Sequence, residues 1–142
     1  MMMNLEEYRK FPEFLSVNEL ASLFRDVLND FSSNKIDKNV FLQILSQLMD
    51  RQVLTYELLH ADIRANVDGV LCDLWNTESY DDVDIILSIV VNLGLKKCFQ
   101  KIKDSISQRQ DIDKAILQEI QETINEVGEN ILNPYHGLEN FK

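Results

Sequence analysis

The chain has 142 residues, 45% of them hydrophobic and 27% charged, and this composition excludes disorder over its whole length. A chain of this size buries about 68–70% of its unfolded surface, which predicts a single domain over residues 1–142. Asp and Glu number 24 against 14 Lys and Arg, giving a net charge of −10 and a pI near 4.6. This acidity argues against direct nucleic-acid binding, because every phosphate would meet a repulsive field.

No targeting or membrane-spanning pattern is visible in the sequence. The start, Met1 to Tyr8, has no basic region that leads into an apolar run. The most apolar stretch, Ile85 to Val91, is far shorter than the ~20 residues that a spanning helix needs. Cys72 and Cys98 both lie in apolar helical patterns, which predicts reduced and buried thiols. We therefore expect a cytoplasmic protein without membrane contact.

Apolar residues recur at helical spacing through the first half of the chain. A short helix over residues 4–10 should end before Phe11-Pro12, because the residue before proline disfavours helix. Ser16 and Glu19 form a capping box for a second helix. Asp37 is the expected cap of the next helix, and another should run from near Thr55 to Trp75.

The second half predicts a central helix with others beside it. Residues 76–82 are a polar loop in which Ser79 or Thr77 could cap the next helix. Residues 83–93 are apolar nearly all round, which predicts a covered helix that ends at Gly94. A buried strand could show the same run, but its length and the lack of other strand-like segments favour helix. Two further helices should cover residues 95–106 and 112–127, before a turn and tail at 129–142.

These patterns define the fold class as all-α, with six or seven helices and no sheet. The helices could form a compact bundle or a short stack of helical hairpins.

Charge is unevenly distributed along the chain. Residues 57–84 hold eight carboxylates and only Arg64 as a base, giving a charge of −7. Four lysines then lie between residues 96 and 103, and residues 104–139 carry −6. Solvated helix faces explain most such runs, and the lysines could pair with neighbouring carboxylates. Asp81 and Asp82 also favour a helix start, at about 0.3–1 kcal/mol each.

A surplus of acid remains after these local roles. Asp62 and Asp73 are three helical turns apart, so they share a face that the 76–84 loop could flank. Converging carboxylates would attract a basic partner, and Trp75 and Tyr80 would anchor it if exposed, although a core position for Trp75 stays open. The predicted acidic surface comprises Asp62, Asp73, Trp75, Glu78, Tyr80, Asp81, Asp82 and Asp84. The alternative is the second acidic zone, Glu119 to Glu129.

No catalytic or metal-binding pattern is found in the sequence. The two histidines, His60 and His136, are far apart, and no Gly-rich phosphate loop occurs. Residues 30–41 resemble a calcium loop but place Lys35 where glycine is needed and Phe41 where glutamate is needed. We therefore predict no enzyme activity, cofactor or metal. An enzyme with a distributed acidic site remains the alternative, and would need two close carboxylates with a shifted pKa.

The segment from Trp75 to Asp84, followed by an apolar helix and Asn92-Leu93-Gly94-Leu95, resembles a pattern in helical immunity proteins. These proteins belong to bacterial contact-dependent growth inhibition and polymorphic toxin systems. The resemblance implies a cytoplasmic protein that binds one cognate toxin domain, often a basic nuclease, and blocks its active site. No single site residue is carried over from it.

A second interpretation is a helical adaptor or regulator that binds a partner helix in an apolar groove. The sequence leaves open the chemistry of the toxin, the oligomeric state and which acidic face binds.

Overall fold

The computed structural model describes residues 5–108, 111–128 and 131, with the side chain of Gln108 excepted. This part of the chain has seven helices and no strand, which confirms the all-α prediction for it. The helices are α1 (Leu5–Arg9), α2 (Val17–Ser32), α3 (Lys38–Val53), α4 (Ala61–Leu74), α5 (Tyr80–Leu93), α6 (Lys96–Gln108) and α7 (Lys114–Val127). None of them is long and apolar enough to cross a bilayer.

The chain divides into two compact units, residues 1–66 and 67–142, and the division falls within α4. The prediction of one domain over residues 1–142 stays a prediction. The predicted tail at 129–142, with His136, lies outside the described residues apart from Ile131.

In the first unit, α1 and α2 pack against α3. The Ser16 hydroxyl oxygen accepts the Glu19 N–H at 3.1 Å, and Asp37 Oδ1 accepts the Val40 N–H at 2.8 Å, so the local cap signals start α2 and α3 as expected. The apolar faces are buried, and the Phe31 ring stacks on Phe41 with 4.2 Å between centroids. Buried aromatic and aliphatic side chains therefore hold this unit together.

Arg51 is a buried charge that joins α3 to the segment after α1. Its Nε and Nη2 atoms donate to the carbonyl oxygens of Pro12 and Phe11, each at 2.9 Å, and Nη1 donates to Gln47 O at 2.9 Å. Several carbonyls thus replace the water that the guanidinium loses on burial. The fork geometry of arginine lets one side chain bind all of them.

The prediction that a helix starts near Thr55 is wrong, because α4 begins at Ala61. A turn occupies the intervening residues. The Thr55 hydroxyl donates to Gln52 O and accepts the Glu57 N–H, and Tyr56 has a left-handed φ of 56°. That conformation cannot continue a helix, so the polar turn overrides the apolar periodicity.

In the second unit, α5 contacts both α6 and α7. Six of its apolar side chains are buried, namely Val83, Ile86, Leu87, Ile89, Val90 and Leu93. Gly94 ends the helix with φ 68° and ψ 51°, and Asp113 and Gly128 bound α7 as cap residues. The predicted central helix and its stop residue are therefore confirmed.

Asp68, on α4, caps the first turn of α6 from a distant part of the sequence. The carboxylate is buried, and it accepts the Cys98 N–H at 2.7 Å and the Lys97 N–H at 3.0 Å. These N–H groups would otherwise lack partners, because the first turn of a helix has no internal acceptors for them. A buried anion is also favoured at this positive end of the helix dipole.

Replacing Asp68 by alanine should lower the free energy of unfolding by about 2–3 kcal/mol, because two buried N–H groups lose their acceptor. Urea denaturation followed by circular dichroism measures the change. Asp73→Ala is the matched control, since Asp73 lies exposed on the same helix and forms no hydrogen bond or ion pair with the described residues. It should change stability by less than about 0.5 kcal/mol. Equal losses in the two variants would contradict the capping role.

Candidate partner-binding site

Asn76 organises the loop that precedes α5. Its Oδ1 atom accepts the N–H groups of Glu78 and Ser79, each at 3.1 Å. Its Nδ2 atom donates to Asp82 Oδ2 at 3.1 Å, and the Ser79 hydroxyl caps α5 by accepting the Asp82 N–H at 3.4 Å. This network fixes the loop and sets where α5 presents its carboxylates.

Two residues of the predicted acidic surface are buried. Asp82 has 9% of its surface exposed and is bonded to Asn76. Trp75 has 8% of its surface exposed, and its indole N–H donates to the Ser105 hydroxyl at 3.2 Å. The structure thus places Trp75 in the core, where an indole ring gains most from burial. The prediction placed Asp82 and Trp75 on an exposed docking surface. The structure instead shows both as buried side chains with internal hydrogen-bond partners.

The exposed residues of the predicted acidic surface fall into two groups. Asp62 belongs to the first unit, where Arg25 Nη2 lies 3.6 Å from its carboxylate. The second unit holds the exposed residues Asp73, Glu78, Tyr80, Asp81 and Asp84. No described contact joins all of these into one patch.

Tyr80 connects the start of α5 to α7. Its hydroxyl donates to Glu119 Oε2 at 3.1 Å, and the ring is 45% exposed. The hydrogen bond to the Glu119 carboxylate raises the pKa of Tyr80, and the charges of Glu119, Asp84 and Glu122 add to the effect. Tyr80 thus lies among several carboxylates, of which Glu119 and Glu122 come from the second acidic zone.

An open groove of about 250 Å³ runs between α5 and α7, and we call it the acidic groove. Its charged lining is Asp84 from α5 with Glu119 and Glu126 from α7. The remaining lining residues are Leu87, Ser88, Val91, Asn92 and Thr123. On each helix, the lining residues recur at three- and four-residue spacing, so each helix presents one face to the groove.

The acidic groove combines the two alternatives that the sequence kept separate. Asp84 belongs to the predicted acidic surface, whereas Glu119 and Glu126 belong to the second acidic zone. Their spacing on a helix face was visible in the sequence, but their approach to Asp84 required the packing of α5 on α7. Glu129, the end of that zone, lies outside the described residues.

The lysines of α6 do not neutralise the groove carboxylates. The Lys101 ammonium donates to Cys72 O, and Lys103 Nζ lies 5.1 Å from the centre of the Phe99 ring. Within the described residues, neither lysine forms an ion pair, and Asp84, Glu119 and Glu126 have none either. The groove therefore keeps a local negative charge.

Among the described residues, no group of three or more His, Cys, Asp and Glu side chains is arranged to hold a metal ion. His60 is exposed. The acidic groove is a surface lined by three carboxylates together with polar and apolar side chains.

No family model, no curated protein and no solved structure matches this chain.

Replacing Glu119 by glutamine should lower the pKa of Tyr80 toward the ordinary value of 10.0, because the phenolate would no longer face a carboxylate. In the unchanged protein, the hydrogen bond between α5 and α7 is present at neutral pH and is lost as Tyr80 deprotonates. An NMR titration of the Tyr80 ring measures the pKa. Glu122→Gln is the control, and it should lower the pKa of Tyr80 by a smaller amount. An identical Tyr80 pKa with and without Glu119 would show that the bond does not form in solution.

Proposed function

We propose that this chain is an immunity protein of a bacterial toxin system, which binds a basic toxin domain and blocks its active site. The observation that carries the proposal is the acidic groove, which Asp84, Glu119 and Glu126 line without an ion-pair partner among the described residues. Like charges held together raise the free energy of the unbound protein. A cationic partner relieves that repulsion on binding, so the groove favours basic surfaces over neutral ones.

The shape and lining of the groove favour lysine and arginine side chains as its occupants. Val91 is partly exposed and provides apolar surface in the lining of the groove. Lysine and arginine have aliphatic stems that pack on such surface while their charged ends meet the acids. Arginine additionally binds carboxylates through paired hydrogen bonds.

Inhibition follows from competition for the same cations. A nuclease holds its substrate through lysine and arginine side chains that contact phosphates. If those side chains enter the acidic groove, the substrate cannot reach them. The mechanism needs no bond to be made or broken by this chain, and it takes place in the cytoplasm of the producing cell.

The remaining exposed acids supply long-range attraction. Asp73, Glu78 and Asp81 belong to the same unit as the groove, and the whole chain carries −10. A field of this sign accelerates encounter with a basic protein, with gains of 10–10³ in comparable systems. Because the Debye length shrinks from ~10 Å at 0.1 M salt to ~3 Å at 1 M, the association rate should fall as salt rises.

The double variant Asp84→Lys, Glu126→Lys should slow association about tenfold or more, because it replaces two groove carboxylates by like charges of the partner. The partner tested is the C-terminal domain of the toxin encoded beside this gene. The association rate is measured from 0.05 M to 1 M salt, both by binding to the surface-immobilised chain and by stopped-flow mixing. The activity of the toxin is assayed in parallel.

The control variant is Glu13→Lys, Asp26→Lys, which makes the same change in net charge at two exposed residues of the first unit. It should retain most of the association rate and full inhibition. Equal effects of the two double variants would place binding outside the groove. An association rate that does not change with salt would favour the second interpretation, a helical adaptor that binds its partner through apolar contacts. A neighbouring gene that encodes no toxin domain would count against the immunity role.

A further inference from the structure

The helices α4 and α6 meet at a joint that contains both cysteines of the chain. Asp68 on α4 accepts the N–H of Cys98 on α6, and one turn later the Lys101 ammonium donates to Cys72 O. Cys72 and Cys98 both lie between these contacts, and each thiol affects the pKa of the other. The two cysteines are therefore neighbours where α4 meets α6.

We propose that Cys72 and Cys98 are a reversible thiol pair, which a hydroperoxide oxidises to a disulfide that joins α4 to α6. The proposal rests on the joint in the second unit and does not depend on the acidic groove or on the toxin. It also goes beyond the expectation of two inert reduced cysteines. Disulfides that form in reducing compartments are transient, so a cytoplasmic location is compatible with it.

The two cysteines have different exposure, and this sets the order of the reaction. Cys72 is partly exposed, whereas Cys98 has 0% of its surface accessible. The oxidant thus reaches Cys72 first, and Cys98 acts as the internal thiol that resolves the oxidised sulfur.

The charges around the joint determine how fast the reaction is. Burial raises the pKa of Cys72, and the charges of Asp68 and Asp73 raise it further, while the neighbouring Cys98 thiol and the charge of Lys101 lower it. The net shift is upward, so little Cys72 thiolate is present at neutral pH. Oxidation should therefore be slow near pH 7 and faster at pH 9.

The reaction balances with one hydroperoxide. The Cys72 thiolate attacks the peroxide oxygen, the O–O bond breaks, and hydroxide leaves and takes up a proton to become water. Cys72 is now a sulfenic acid. The Cys98 sulfur attacks the Cys72 sulfur, the S–O bond breaks, and a second water leaves with the Cys98 proton. Two thiols are oxidised and hydrogen peroxide is reduced to two waters.

The test uses the reduced full-length chain and hydrogen peroxide, followed by catalase, denaturation in maleimide and intact mass measurement. The expected product is a monomer lighter by two hydrogen atoms that takes up no maleimide, and a thiol reductant restores two adducts. The oxidised chain should unfold at a midpoint roughly 5–10 °C higher, because the cross-link restricts the unfolded chain.

Two variants separate the roles of the thiols. In Cys98→Ala, Cys72 should gain oxygen, because its sulfenic acid has no resolving partner. In Cys72→Ala, Cys98 should stay unmodified in the folded protein, because it is buried.

The unsubstituted chain decides the outcome even where a variant does not fold. Two maleimide adducts after oxidation at pH 9, added oxygen on Cys72, or a disulfide-linked dimer would each overturn the proposal.

Discussion

The burial of α5 is the constraint on which the second unit depends. Its apolar side chains occupy most of the helix circumference, and α6 and α7 must cover them, because burial of apolar area is the main driving force of folding. The part of α5 left outside this cover includes Asp81, Asp84 and Ser88. The apolar side chains of α7 also face the core. The carboxylates of α7 therefore lie beside the exposed residues of α5. The hydrophobic core thus brings two acidic stripes together.

Some of the acidic and neighbouring side chains at this surface have partners within the described residues. Tyr80 donates a hydrogen bond to Glu119, and Asp82 is withdrawn from the surface into the Asn76 network. Asp84 and Glu126 line the groove and have no ion-pair partner among the described residues. These carboxylates without ion-pair partners are the feature of the described residues that most favours a binding role.

The joint between α4 and α6 shows how a few polar contacts can position two reactive groups. Asp68 accepts hydrogen bonds from the first turn of α6 and thereby fixes the position of Cys98 relative to α4, the helix that carries Cys72. The same carboxylate raises the pKa of both thiols. Burial is the larger cause of the raised pKa of each thiol, and the Asp68 carboxylate, which supports the packing of α6, adds to it.

The sequence by itself determined the helices and most of their ends, because those signals act over a few residues. Ser16, Asp37 and Ser79 each bond a backbone N–H three positions away, and Gly94 adopts the left-handed conformation that ends α5. It also determined the negative charge. Only the tertiary structure decided that Trp75 and Asp82 are buried and that Asp84 lines the same groove as Glu119 and Glu126. These outcomes depend on which helices pack together, and contacts between distant residues leave no periodic trace in a single sequence.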